Sequence, residues 1–372
     1  MVFKNAKGTH SDSLTCLAWT LNFLSPYLVF RGFSFHSSNS FMSVLAKTLT
    51  AASAGIFAAA TALGSPSPAQ VRLDGAGASF PAPIYERWFK DLAAAGGPQV
   101  NYQATGSGTG VKLFTNNDVD FGASDSAMDD AKVAKVRRGA VQIPMTGGAI
   151  AVAYNKPGCD LKLSQSQVVD IFMGATTNWS ALGCAPGSIT VAHRSDGSGT
   201  TAGFTKSLSA FSSAWKEKVG AGKTVEWPVG VGGKGNSGVA GLIRNKVGTI
   251  GYVNYGYVQR SGLQTAALRN KAGNYVKPSA STAAEGLSRI VLDDQLRGTD
   301  ANPAGANSFP IVSLTWVLAY QTGNGDNLDA LKKTLNYMLS DEAQGISDSL
   351  GYVPLPDSVV ARSRAAVASL QR

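Results

Sequence analysis

Arg194-Ser195-Asp196-Gly197-Ser198-Gly199-Thr200 follows a strand-like run at residues 189–193 and leads into Phe204, Leu208 and Phe211, which recur at helical spacing. A strand that turns through glycine and serine into a helix is a building unit of α/β folds. Two other stretches, Gly77-Ala78-Ser79-Phe80 and Thr105-Gly106-Ser107-Gly108-Thr109-Gly110, have the same composition and also stand at the start of helix-like sequence. The start of a helix carries backbone N–H groups without intrahelical partners and the positive end of the helix dipole, and glycine lets an anion approach the chain. One such loop says little. Three of them, with an arginine in one and Asp125 ending the nearby run Asp120-Phe121-Gly122-Ala123-Ser124-Asp125, point to a cradle for a small tetrahedral oxyanion.

Working outward, residues 100–104, 119–123, 150–154, 249–253 and 311–319 read as further strands. Helical spacing recurs in Ile84, Trp88 and Leu92 after Ser79 and Pro81, and in Val168, Ile171 and Phe172 after Ser164. It recurs again in Leu331, Leu335, Met338 and Leu339, and in residues 359–370 after Pro356. Residues 261–308 are rich in small and polar side chains and show no clear period. With strands and helices alternating, the class is α/β.

The front of the chain reads as an export leader rather than as fold. From Met42, Lys47 supplies a positive region, residues 49–63 an apolar alanine-rich stretch, and Ser67-Pro68-Ala69 the small residues of a cleavage site. Residues 1–41 are read as an over-extended start and 42–69 as the signal peptide. Asn22, Ser25 and Pro26 interrupt the apolar run 14–30 and argue against a spanning helix. What remains suffices for two domains. The chain carries a formal net charge of +9. Its leader holds Lys4, Lys7, Arg31 and Lys47 against Asp12, so the mature part stays basic, which gives mild steering of anions. No dense basic run with interleaved aromatics supports nucleic-acid binding.

Cys159 and Cys184 remain after export, an even pair in an oxidising compartment, and read as a disulfide; two independent buried thiols are the alternative. His193 is the one histidine beyond the leader, and two cysteines cannot complete a zinc site alone, so no metal or cofactor is expected. Some glycine runs imitate other chemistry. Gly220-Ala221-Gly222-Lys223-Thr224 looks like a nucleotide loop but has Glu217 where the leading glycine belongs. Gly75-Ala76-Gly77-Ala78-Ser79-Phe80 lacks the third glycine of a dinucleotide fingerprint.

Several blocks, in order along the chain, resemble a known family. They are Gly75-Ala76-Gly77-Ala78-Ser79-Phe80-Pro81-Ala82-Pro83, Val100-Asn101-Tyr102-Gln103, the run 119–125, the run 194–200, Trp227-Pro228-Val229-Gly230 through Gly232-Gly233-Lys234-Gly235-Asn236, and Gly251-Tyr252-Val253. Together, from about residue 71 to the last helix, they resemble the periplasmic phosphate-binding protein of the phosphate ABC importer. The resemblance implies a type II periplasmic-binding-protein fold, two lobes with the ligand in the interlobe cleft. Lobe one would comprise residues 70–149 and 313–372 and lobe two residues 150–312, with crossovers near 147–150 and 310–313. It also implies a periplasmic, monomeric receptor that delivers inorganic phosphate to the membrane permease subunits of an ABC transporter and is not an enzyme.

Residue by residue, the family's ligand positions fall on Ser79, Phe80, Ser107, Asp125, Arg194, Ser198, Gly199 and Thr200, with Asp196 placed to orient Arg194. Ser79 stands where threonine is usual and keeps the hydroxyl. The loop around Ser107 lacks the second serine that often follows, and Thr109 is the nearest substitute. Asp125 would then discriminate, because a carboxylate accepts a hydrogen bond from a protonated phosphate and repels sulfate, which has no proton to share.

Plainer readings stand beside these. Asp125 could cap a helix beginning within residues 126–130, Ser107 and Ser198 could be ordinary turn or cap serines, and Arg194 could form a surface ion pair with Asp196. The glycine run 230–238 is given a structural role, bending the chain before a helix at 239–243. Functional alternatives are a secreted phosphatase or phosphotransferase with Ser198 or Ser107 as nucleophile, and a receptor for another oxyanion.

Overall fold

The computed structural model describes residues 71–372. The leader and cleavage-site readings, residues 1–41 and 42–69, fall outside the described residues. The principal sheet runs in the order Gln99–Gln103, Arg72–Gly77, Phe121–Ser124, Val312–Tyr320, Ala140–Asn155, Thr249–Asn254, Thr190–Arg194, Val231–Gly233. Its first three strands pair in parallel, and so do its last three. The two central strands are antiparallel to their neighbours. Ala140–Asn155 is shared: residues 140–149 pair with Val312–Tyr320, and residues 150–155 with Thr249–Asn254. Two half-sheets thus meet along one continuous strand, and Ile150 N–H donates to Ile311 C=O at 2.9 Å where they join.

The sequence places only residues 150–154 of that strand, because Pro144 and the pair Gly147-Gly148 read as breakers. They are tolerated since the register against Val312–Tyr320 shifts between Thr315 and Trp316, opposite Pro144, so that the missing N–H falls at an irregularity. Arg72–Gly77 is likewise a strand that the sequence conceals, its Gly75 and Gly77 reading as loop. Leu73 and Ala76 are buried within it.

Helix Ala82–Ala94 starts at Pro81, whose fixed φ suits a first turn, and buries Ile84, Tyr85, Trp88, Phe89 and Leu92. Ser79 does not cap it, since no side-chain hydrogen bond closes that end. Helix Gly199–Phe211 is capped by Ser198, which accepts from Thr201 N–H at 3.0 Å. Helix Ser107–Asn116 starts from Gly106 at φ 95°, a conformation that favours glycine. Aromatic pairs from both half-sheets join one continuous buried cluster. Phe114 stacks on Tyr320 at 4.3 Å in one half, and Phe204 on Tyr252 at 4.3 Å in the other. Burial of such rings contributes about 1.5–3 kcal/mol each, so the shared core holds the loops of both halves in place.

Cys159 and Cys184 are joined as a disulfide. The stretch 261–308 contains Gln264–Thr265, Ala267–Arg269, Tyr275–Val276 and helix Ala280–Leu287, elements too short for a readable period. No helix among the described residues is long and apolar enough to cross a membrane.

Candidate functional site

The three glycine-serine loops converge where the half-sheets meet. Gly108 N–H donates to Gly197 C=O at 2.7 Å, joining the first turn of helix Ser107–Asn116 to the loop before Ser198. Ser107 Oγ accepts from Asp125 N–H at 3.2 Å. A Cβ on Gly199 would lie 2.6 Å from Ser107 Oγ and 2.7 Å from Asp125 Cβ, so only glycine fits there. Thr200 Oγ1 donates to Asp125 Oδ2 at 3.3 Å. The first loop enters through Asn236, whose Nδ2 donates to Ser79 Oγ at 3.0 Å and to Thr200 Oγ1 at 3.1 Å. Phe80 is held beside it by Tyr352, whose hydroxyl donates to Phe80 C=O at 2.7 Å. Ser79, Ser107, Asp125, Arg194, Ser198 and Thr200 are all buried.

Hydrogen-bond direction shows what this cluster can hold. Ser79 Oγ accepts from Asn236 N–H and Nδ2, Ser107 Oγ from Asp125 N–H, and Ser198 Oγ from Thr201 N–H. Each oxygen already receives a proton, so each hydroxyl is left with its own proton to give. The Phe80 N–H has no hydrogen-bond partner among the described residues, and the first N–H groups of helix Gly199–Phe211 have none within the helix. Buried donors without acceptors are costly, and an oxyanion supplies acceptors for all of them.

The charged groups are balanced around these donors. Arg194 Nε and Nη2 donate to the two oxygens of Asp196 at 2.7 and 2.5 Å, and Nη1 faces Thr200 Oγ1 at 3.5 Å. The arginine side chain is 1 % exposed, which replaces the surface-pair reading with a buried, bidentate pair. Burial alone would raise the Asp196 carboxyl, but Arg194 and the Gly235 N–H outweigh it and hold it below the usual range. Asp125 behaves oppositely. Burial pushes it up to about 7, against hydrogen bonds from Thr315 and Thr200 and the charges of Arg194 and Lys223. Asp125 does not cap a helix, because the next one begins at Asp130 with Asp129 as its cap.

Some residues of the cluster were not singled out in the sequence. Thr315 Oγ1 donates to Asp125 Oδ1 at 3.0 Å. Asn236 bridges Ser79 and Thr200 while its Oδ1 accepts from Asn254 N–H at 2.9 Å. Its block, Gly232-Gly233-Lys234-Gly235-Asn236, is visible in the sequence as a glycine bend. The buried amide ending that bend is what the structural reading passed over. Tyr252 adds support from behind, its hydroxyl accepting from Arg194 N–H at 3.2 Å.

Residues 61–342 match the model of the PBP superfamily domain. The phosphate-binding protein PstS of Xylella fastidiosa is 37 % identical over 319 residues, covering 80 % of this chain and 85 % of that protein. This chain belongs to the PstS family. The phosphate-binding protein PstS of Haemophilus influenzae is also 37 % identical, over 77 % of this chain and 90 % of its own length. Among solved structures, a high-affinity periplasmic phosphate-binding protein, PfluDING, bound with phosphate, superposes with a TM-score of 0.66 at 22 % identity, covering 79 % of this chain and 93 % of that one. At that identity the likeness shows the fold, the two-lobed binding-protein fold that the PstS resemblance implies. The half-sheets joined at Ala140–Asn155 are this chain's version of it.

Proposed function

We propose that this chain is an extracytoplasmic receptor that binds inorganic phosphate and delivers it to the membrane permease of a phosphate ABC transporter, acting as a binding protein rather than an enzyme. The PstS relatives carry that binding function in their names. The observation that carries the reading here is the direction of the hydrogen bonds: three buried serine hydroxyls with protons to give, one guanidinium, and one carboxylate set among them. A monoprotonated phosphate matches that set. Its bare oxygens accept from Ser79, Ser107, Ser198, Arg194 and the N–H groups of Phe80, Gly199 and Thr200, and its proton goes to Asp125.

Lobe one is assigned to residues 70–149 and 313–372 and lobe two to residues 150–312. Ser79, Phe80, Ser107 and Asp125 would come from the first, and Arg194, Ser198, Gly199 and Thr200 from the second. Export through the leader would place the receptor in the periplasm. Hydrogen bonds to a charged group contribute about 1.5–3 kcal/mol each, so half a dozen exceed the roughly 8 kcal/mol of a micromolar complex before association costs. Calorimetric titration with inorganic phosphate tests the reading. A Kd at or below the micromolar range is expected, weakened by roughly 10-fold or more in Ser79→Ala and Ser107→Ala. No measurable phosphate binding by the native protein would overturn it.

A further inference from the structure

The false nucleotide loop, Gly220-Ala221-Gly222-Lys223-Thr224, has a place beside the site. Gly222 N–H donates to Thr205 Oγ1 at 3.2 Å, and Lys223 C=O accepts from Ser198 N–H at 2.8 Å. These bonds fasten the loop along the first two turns of helix Gly199–Phe211. Lys223 and Asp125 line the same cleft, a space of about 730 Å³.

Most other charges in that cleft are matched. Asp129 and Lys132, from the short helix after Asp125, pair with each other. Arg297, another lining residue, is bonded to Asp130 and Asp293. Outside that cleft, Arg194 is paired with Asp196. Lys206, on helix Gly199–Phe211 itself, is exposed, and Asp300 also lines the cleft. Lys223 is half-buried and takes part in no ion pair among the described residues.

We propose that Lys223 is a further specificity-determining residue: its uncommitted ammonium, on a loop fastened beside the start of helix Gly199–Phe211, favours the ionised form of Asp125, the form that refuses anions without a proton to share. The inference rests on the phosphate reading above. A protonated Asp125 would donate to any oxyanion, sulfate included, and lose its discrimination; Lys223 opposes that protonation. The two groups act on each other in both directions, Lys223 favouring the charged carboxylate and Asp125 the charged amine. Burial, followed by repulsion from Lys132, lowers Lys223 to about 8, and the charge of Asp125 opposes that fall.

Carboxyl-carbon NMR of the ligand-free protein labelled at aspartate, with Asp125 assigned by Asp125→Asn, reads the effect directly. Lys223→Gln should move the Asp125 midpoint upward by roughly half a pH unit or more, and Lys223→Arg, which keeps the charge, should hold it at the native value. A midpoint unchanged in Lys223→Gln overturns the role of Lys223 and leaves the phosphate reading standing. Adding inorganic phosphate to the native protein separates the two ideas: an Asp125 signal that phosphate fails to move overturns the site beneath the proposal.

Discussion

The Arg194 guanidinium donates through Nε and Nη2 to both oxygens of Asp196, so its charge is compensated inside the protein before any ligand arrives. Breaking a buried pair by removing one partner typically costs about 3–5 kcal/mol, because the remaining charge is stranded. Asp196→Asn should therefore lower the Tm of the ligand-free protein, while phosphate supplies a replacement counter-charge. The measurement is the Tm gain on adding saturating phosphate. A larger gain in Asp196→Asn than in the native protein is expected, and equal gains would contradict the compensating role.

Asp125 makes stability depend on pH with a definite sign. Its carboxyl is raised by burial from 3.8 to about 7, so the folded protein holds this proton more tightly than the unfolded chain does. Its contribution to stability is therefore present at low pH, declines as pH climbs through the interval from about 4 to about 7, and is gone above it. Ligand-free Asp125→Asn should melt close to the native protein near pH 4 and a few degrees above it at pH 8. A difference that is the same at both values would show that burial does not raise the Asp125 carboxyl.

Gly199 is a steric prediction. A methyl group there would meet Ser107 Oγ at 2.6 Å and Asp125 N at 2.8 Å, and both atoms belong to the bond that fixes Ser107. Gly199→Ala is expected to weaken phosphate binding by roughly 10- to 100-fold, in line with the 1–3 kcal/mol that overpacking commonly costs. Circular dichroism should remain native, since the helix behind Gly199 is capped independently by Ser198. Native affinity in this variant would mean that the geometry around Ser107 is unimportant.

The parts of this protein that were legible in the sequence are those where local chemistry and fold agree. Ser198 and Ser164 cap the helices that follow them, and the strands at 190–194 and 249–254 carry β-branched and apolar residues between turn residues. Arg72–Gly77 and the front half of Ala140–Asn155 were hidden because glycine and proline sit inside buried strands, where backbone pairing on both sides overrides local preference. The cluster of the candidate site was legible as three loops and an aspartate, since its glycine and hydroxyl residues stand in short runs. Asn236 and Thr315 were not, because each acts on a residue far along the chain, Asn236 on Ser79 and Thr315 on Asp125. No local spacing announces such a bond.

The central claim is that this site holds a tetrahedral anion bearing a proton and directs that proton to Asp125. Competition calorimetry at pH 8 tests it most directly: phosphate is titrated into the native protein and into Asp125→Asn, each with and without excess sulfate. Phosphate binding to the native protein that sulfate leaves unchanged, together with sulfate competition in Asp125→Asn, is the predicted result. Sulfate displacing phosphate equally from both proteins would contradict it.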